Sequence, residues 1–334
     1  MSHLVTLTPS GECFSVDADE SVLDAALRQG YALEYGCRHG NCSSCKYFLD
    51  SGDVDHGEAS IYSLTEAERE EGYALLCCAR PVSDLVIQAR KSDDPRALPL
   101  LTPLTCEAEV TAMESLTATL TRLAVRPARA FDFYPGQFAE LMAPEVARWR
   151  SYSIASGPGG AELEFIIKRI PGGAFSDAVA RLTPGSSLGL RGPFGASYLR
   201  AGTRPVLLVA IGSGIAPLLS MLDAALVGGD TRRFEFYYGA RTAADLPCAA
   251  RIATYEAHFG DRFSFRPSLT RGEDAWAGRR GRVTQVLQRE LADASTYDAY
   301  LCGAPAMCDA VGTLLEAKGI RGGQLFYDKF HPAS

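Results

Sequence analysis

Nine residues constrain this chain more than any other stretch: Cys37-Arg38-His39-Gly40-Asn41-Cys42-Ser43-Ser44-Cys45. Three thiols at C-x4-C-x2-C spacing form the pattern of a [2Fe–2S] site, which requires one more Cys downstream. Leu76-Cys77-Cys78-Ala79-Arg80-Pro81 offers two candidates, after 31 or 32 intervening residues, and spacing does not choose between them. A loop that wraps sulfur must be slim, and Gly36, Gly40, Ser43 and Ser44 make it so. Backbone N–H groups aimed at the sulfurs would tune a potential that lies around −400 mV for this cluster type. One alternative is zinc, whose sites usually pair two C-x2-C knuckles, but only one such pair is present. The other is a Cys-rich surface loop with no metal.

At 334 residues the chain is too long for one ordinary core and suits two or three domains. Of its ten Cys, five fall between Cys37 and Cys78, while Cys13, Cys106, Cys248, Cys302 and Cys308 are scattered. No apolar run approaches the length of a membrane span. Met1-Ser2-His3-Leu4-Val5-Thr6 lacks the basic start and apolar stretch of a signal peptide, so a cytoplasmic location and no membrane partner are expected. In that reducing compartment, Cys serve as ligands, catalytic groups or packing rather than disulfides. Residues 1–94 hold 17 Asp and Glu against 7 Lys and Arg; the remainder holds 23 against 26. The acidic first third argues against nucleic acid as a partner. It suits docking to a basic protein surface and equally well serves solubility.

Three segments follow one another. In the first, Leu4–Thr8 and Cys13–Val16 flank a Pro-Ser-Gly-Glu turn and predict a β-hairpin. The pattern of residues 19–30 predicts a short amphipathic helix with an acidic start and a Gly end, and Leu85–Ala89 a closing strand. Lys91-Ser92-Asp93-Asp94-Pro95-Arg96 has the composition of a linker. The second segment carries short β-patterned runs at Glu107–Met113, Thr117–Val125, Gln137–Met142 and Glu162–Lys168, punctuated by Pro and Gly, and predicts a small antiparallel barrel. The third alternates buried strand patterns, such as Pro205–Ile211, with helices and predicts an α/β domain with a parallel sheet.

Motifs outside the Cys loop are individually weaker. In Arg150-Ser151-Tyr152-Ser153 an Arg can pair with phosphate, a Tyr can pack on a ring and a Ser hydroxyl can reach a flavin nitrogen. Pro171-Gly172-Gly173-Ala174-Phe175-Ser176 places a Gly pair before a helix start, where backbone N–H groups can hold a pyrophosphate. Gly212-Ser213-Gly214-Ile215-Ala216-Pro217 is a Gly-rich turn between strand and helix, but Pro217 breaks the full G-x-G-x-x-G. It reads equally as a dinucleotide turn or as a plain tight turn. Cys302-Gly303-Ala304-Pro305 ends another strand pattern, where Cys302 is either beside a nicotinamide ring or a buried small residue.

Together and in this order the motifs resemble the ferredoxin–NAD(P)H reductase superfamily with a fused N-terminal plant-type ferredoxin domain, and more narrowly the reductase components of multicomponent bacterial oxygenases. Gly192-Pro193-Phe194-Gly195 and Tyr238-Gly239-Ala240-Arg241 also fit, and the resemblance spans essentially the whole chain. The Cys loop with Lys46-Tyr47 is most similar to reductases that serve soluble diiron monooxygenases. The resemblance implies a β-grasp [2Fe–2S] ferredoxin domain over 1–96, an antiparallel β-barrel FAD domain over 97–200 and a parallel-sheet NAD(P)-binding α/β domain over 201–334.

Carried over by residue, it assigns the cluster to Cys37, Cys42, Cys45 and Cys77, the last four residues before Pro81. It assigns FAD to Arg150, Ser151, Tyr152, Ser153, Ile167, Lys168, Gly173, Ala174 and Ser176, with Tyr327 or Phe330 covering the flavin and Phe330 taken as the candidate. The nicotinamide nucleotide falls to Gly212, Gly214, Pro217, Gly239, Arg241, Asp245, Cys302, Gly303 and Pro305. Ser153 and Cys302 would stand nearest the chemistry. Asp245 suits a free ribose hydroxyl and hence NADH, while Arg241 leaves NADPH open. Of the five His, only His39 lies in a motif, and it is read as exposed on the cluster loop. With Arg38, Asn41 and Lys46 it marks where a partner would meet the cluster.

The implied activity is that of an NADH:acceptor oxidoreductase, monomeric, passing electrons from NADH through FAD and [2Fe–2S] to an oxygenase component, most simply of a diiron monooxygenase. Alternatives are a ring-hydroxylating dioxygenase reductase, a stand-alone flavin or quinone reductase, and a non-enzymatic iron–sulfur redox sensor.

Overall fold

The computed structural model describes residues 2–89, 94–146, 148–272 and 275–331. Two compact units emerge, one from the N-terminal residues up to Pro103 together with His331, and one spanning Leu104–Phe330. Most of the expected linker, Lys91-Ser92-Asp93, lies outside the described residues.

The first unit is built on a five-stranded mixed sheet in the order Cys13–Val16, His3–Thr8, Leu85–Gln88, Lys46–Ser51, Tyr73–Leu75. The expected hairpin forms with Val5 opposite Phe14, and the closing strand pairs parallel to the first. Alternation buries Val5, Leu7, Phe14 and Val16, and the helix Val22–Arg28, which lies beside strand Cys13–Val16, buries Val22, Leu23, Ala26 and Leu27. That helix starts later than its acidic pattern implies. Ser21 caps it, its hydroxyl accepting from Asp24 N at 3.1 Å, so Asp19 and Glu20 fall outside. Glu20 instead holds Arg28 at 2.5 Å.

In the second unit six antiparallel strands run in the order Arg150–Ser153, Phe138–Met142, Ser187–Phe194, Leu104–Ser115, Leu120–Pro127, Leu163–Lys168. A bridge between Ile154 and Phe165 joins the two ends, so the sheet is a nearly closed barrel. One strand begins at Leu120 rather than Thr117, because Thr117 Oγ1 accepts from the N–H groups of Thr119 and Leu120 and makes a turn.

The barrel is followed by a wholly parallel sheet in the order Arg279–Arg280, Phe263–Leu269, Phe234–Ala240, Val206–Ile211, Asp298–Gly303, Leu325–Lys329. Its apolar strands face helices on both sides. Leu208 and Ala210 pack with helices Ile215–Val227 and Ala249–Phe259, whereas Leu207 and Val209 pack with Val283–Glu290 and Pro305–Ala317.

Barrel and parallel sheet share a seam. Leu120, Ala155 and Ile166 of the barrel bury against the core that includes Leu218 and Leu219. Arg251 sits in that seam, donating to Ala155 O at 2.5 Å and Glu164 Oε2 at 3.1 Å, and pairing with Asp223. Asp223 in turn accepts from Gly157 N at 3.1 Å and Tyr255 OH at 2.5 Å. A polar network of this kind fixes orientation, since a partner left alone there is costly.

Candidate functional site

In the Cys loop the thiols meet in twos. Cys37 hydrogen-bonds to Cys42, and Cys45 to Cys77, with Cys42 near enough to act electrostatically on Cys45. Among the described residues no three His, Cys, Asp or Glu side chains converge as a single metal ion would need. Two adjacent thiol pairs instead suit two irons, each with two protein sulfurs.

Backbone N–H groups surround these sulfurs. Cys37 N donates to Cys42 Sγ at 3.2 Å, and His39 N and Asn41 N to Cys37 Sγ at 3.4 Å each. Gly40 N–H reaches Cys77. Such convergence requires left-handed backbone, and Arg38, Gly40 and Ser43 adopt φ of 62°, 71° and 57°. A side chain on Gly40 is excluded as well by space, since a Cβ there would lie 3.1 Å from Ala59 Cα. Each pair divides into one thiol more acidic and one less so: the hydrogen bond with Cys37 brings Cys42 down to about 5 and raises Cys37, while the bond with Cys45 holds Cys77 well below its ordinary value and raises Cys45.

The residues expected to flank the cluster as a docking surface behave differently. Arg38 is buried, its side chain 4% exposed, and pairs with Asp24 at 2.7 Å. Lys46 is engaged with Glu68 at 2.6 Å, and His39 is half-buried rather than exposed. Arg38 therefore braces the loop from inside; its left-handed backbone turns the side chain toward the helix Val22–Arg28 that carries Asp24.

At the barrel, Arg150–Ser153 pairs antiparallel with Phe138–Met142, setting Ser153 opposite Phe138 and Tyr152 opposite Ala139. Arg150 and Ser151 are half-buried; the Tyr152 ring stacks on Phe175 at 5.1 Å, and burial raises its phenol above the ordinary value. Ile167 is buried in the barrel core, so only its backbone is available to a ligand, while Lys168 is exposed. Gly173 caps the short helix Ala174–Val179, whose first residue Ala174 is exposed. The Ser176 hydroxyl is committed to that turn, donating to Ile170 O at 2.7 Å and accepting from Ile170 N at 3.2 Å.

Ser153 reaches the last strand: its hydroxyl donates to Asp328 Oδ2 at 2.7 Å across 175 residues of sequence. Burial pushes the Asp328 carboxyl up to about 6, although the Ser153 bond opposes the rise. Asp328 is the site residue that sequence reasoning missed. Its one signal was alternation in Leu325–Lys329, which puts Phe326 with Tyr300 on one face and Tyr327 against the helix Pro305–Ala317 on the other. Asp328 shares the Phe326 face. Phe330 N extends the backbone pairing to Gly303 O at 2.8 Å, whereas the Tyr327 ring is occupied against the helix Pro305–Ala317.

The Gly-rich turn follows strand Val206–Ile211 directly. Its two glycines differ. Gly214 must lack a side chain because a Cβ would run into the Cys302 carbonyl, whereas Gly212, at φ 56°, faces open space. The turn thus packs tightly on one side and leaves open space on the other, as an approaching phosphate needs. Pro217 lies in the first turn of the helix Ile215–Val227, where its missing N–H costs nothing. Gly239 sits at the end of its strand, where a Cβ would press on Ile211 at 3.0 Å. Pro305 opens the helix that follows Gly303, itself at φ 133°. Cys302 is fully buried with Leu208, Ala210 and Tyr300, and burial raises its thiol well above the ordinary value. Its side chain is core packing; backbone at Gly303 forms the sheet edge. Beyond Gly239, Asp245 accepts from Thr242 Oγ1 at 3.0 Å and Arg241 at 3.1 Å. Partial burial would raise that carboxyl, but the Arg241 and Thr242 bonds bring it below its ordinary value.

The chain is similar to known proteins over its whole length. The chain matches the 2Fe-2S iron-sulfur cluster binding domain over residues 5–82, the oxidoreductase FAD-binding domain over 107–198 and the oxidoreductase NAD-binding domain over 208–313. It is 36% identical over 339 residues to the propane 2-monooxygenase reductase component of Mycolicibacterium goodii, covering 98% of this chain and 97% of that one. The toluate 1,2-dioxygenase electron transfer component of Pseudomonas putida is 34% identical over 337 residues, covering 99% of each. Among solved structures the Amycolatopsis cytochrome P450 reductase GcoB superposes with a TM-score of 0.90 at 29% identity, covering 99% of this chain and 100% of that one. Fold, thiol pairs and full-length similarity agree: the chain belongs to the family of oxygenase reductase components in which a [2Fe–2S] domain is fused to FAD- and NAD-binding oxidoreductase domains.

Proposed function

We propose that this chain is an NADH-dependent reductase that delivers electrons one at a time to a separate oxygenase component, that of a soluble diiron monooxygenase. The observation that carries the reading is the pairing of four thiols in the same chain as the flavin and nucleotide domains. A small-molecule reductase has no use for that centre. When bound, NADH supplies two electrons as a hydride, FAD accepts it, and the cluster passes electrons on singly.

The protein's own part is binding and orientation. Cys37, Cys42, Cys45 and Cys77 would hold the cluster, and the loop N–H groups would stabilise its negative charge. Arg150 would pair with phosphate, Tyr152 would pack on the flavin and Phe330 would cover it. Ser153, held by Asp328, would present its oxygen to the flavin edge in a fixed direction. Gly212 would let the nucleotide pyrophosphate approach, and Asp245 would receive the ribose hydroxyl. Cys302 would act through its place in the wall behind the nicotinamide rather than as a reacting thiol. The domains 1–96, 97–200 and 201–334 would act as a monomeric relay in the cytoplasm, without membrane or nucleic acid as partner. No helix among the described residues is long and apolar enough to cross a membrane, and the first third of the chain is acidic.

A second reading has an observation of its own. The close superposition on a cytochrome P450 reductase and the 34% identity to a dioxygenase electron transfer component make those oxygenase classes alternative acceptors. Anaerobic titration with NADH, followed by visible absorption and EPR, tests the core of the proposal: flavin bleaching and a reduced-cluster signal are expected, with NADPH much less effective. Absence of both would exclude a reductase. Turnover with diiron, dioxygenase and P450 oxygenases in parallel then assigns the acceptor.

A further inference from the structure

Five thiols, not four, crowd the cluster loop. We propose that Cys78 is a reserve ligand, able to take the place of Cys77, an inference that rests on the [2Fe–2S] reading of Cys37, Cys42, Cys45 and Cys77 given above.

Adjacent side chains on a strand point to opposite faces, which would send Cys78 away from the centre. Here the strand Tyr73–Leu75 has already ended. Cys78 N and Ala79 N both donate to Leu75 O at 2.9 Å, forming a turn that brings the two thiols to one side. Their sulfurs lie 3.7 Å apart. Both also meet the same residue of the loop. Gly40 N–H donates to Cys77, and a Cβ on Gly40 would stand 2.8 Å from Cys78 Sγ. Gly40 is therefore flanked by two sulfurs, and the loop leaves room for each.

A thiol tethered this close competes as an intramolecular ligand, at an effective concentration far above that of any free thiol. The exchange is redox-neutral. Cys78 gives up its proton as its sulfur binds iron; the bond from iron to Cys77 Sγ breaks, and Cys77 Sγ takes a proton. Where Cys77 is absent, only the first half is needed.

Reconstitution of the full-length protein with iron and sulfide tests this without NADH or an acceptor. Cys77→Ala is expected to retain native iron and sulfide content, with shifted visible bands and EPR g values. Cys77→Ala/Cys78→Ala is expected to lose the cluster. A Cys77→Ala protein with native circular dichroism but no iron overturns the proposal, as does a double variant that keeps the cluster. So would loss of the cluster in Cys78→Ala alone, which would make Cys78 the resident ligand. Should Cys77→Ala not fold, Cys78→Ala decides. Its cluster is expected to lose iron to a chelator about ten-fold faster than the unchanged protein, and an equal rate overturns the proposal. Failure of the reductase reading would show separately, as absence of flavin reduction by NADH in the unchanged protein.

Discussion

The cluster loop and the flavin–nucleotide site solve opposite problems. Three of the four proposed cluster ligands come from nine consecutive residues, and their environment is mostly backbone N–H. The proposed flavin–nucleotide site is drawn from strand ends spread from Arg150 to Phe330, and its pivotal contact, Ser153 to Asp328, joins residues 175 apart. The first is therefore robust to changes elsewhere in the fold and sensitive to loop geometry. The second depends on the register of two sheets and on the seam that joins them.

The largest effect should come from Cys42→Ala. It is expected to abolish the cluster absorbance and electron delivery to a protein acceptor, while stopped-flow reduction of the flavin by NADH stays within about two-fold, because the two sites share no residue. A large loss of flavin reduction in this variant would break the contrast between local and distributed sites.

Gly214→Val tests the distributed site at its tightest point. The added side chain meets the Cys302 carbonyl and Gly303. Overpacking there should cost about 1–3 kcal/mol, read in urea denaturation, with loss of NADH binding. Gly212→Ala, in open space, should perturb binding through its positive φ and leave less of a mark on stability.

Asp328→Asn is expected to slow flavin reduction about ten-fold, as loss of a charged hydrogen-bond partner to Ser153 would. It should also alter the pH dependence of stability. The Asp328 carboxyl is raised from 3.8 to about 6, so the folded chain holds its proton more tightly than the unfolded one. This favours folding below about pH 3.8, and the contribution is lost as pH rises through about 6. In flavin-free protein, Tm followed across that window should decline less in Asp328→Asn than in the unchanged chain.

The smallest effect is expected at Asp245. Asp245→Ala should lower the preference for NADH over NADPH several-fold in kcat/KM by freeing Arg241, with little change in the rate at saturating nucleotide. An unchanged ratio would mean that the ribose is read elsewhere.

How much could be read in advance follows the same division. The thiol pattern, the hairpin, the barrel strands and the apolar parallel strands were legible because each is a local pattern of spacing, alternation or continuous hydrophobicity. Boundaries slipped where one side chain redirected a few backbone groups, as Ser21 does at the first helix and Thr117 at a barrel strand. Arg38 looked like a surface charge because nothing in its neighbourhood in sequence announces Asp24, fourteen residues earlier, as its partner. Cys302 and Ser176 carried the right motifs, yet packing and turn formation claim their side chains.

By itself the sequence determined the elements, their order and the chemistry they can carry, since thiol spacing, Gly-rich turns and strand patterns act over a few residues. Only the tertiary structure decided which thiols pair, that Tyr327 packs against the helix Pro305–Ala317, and that Asp328 holds Ser153. Those facts depend on which strands lie side by side and which face each residue presents. Register and face arise only when separate elements bury their apolar surfaces against one another, a condition that no local stretch of sequence contains.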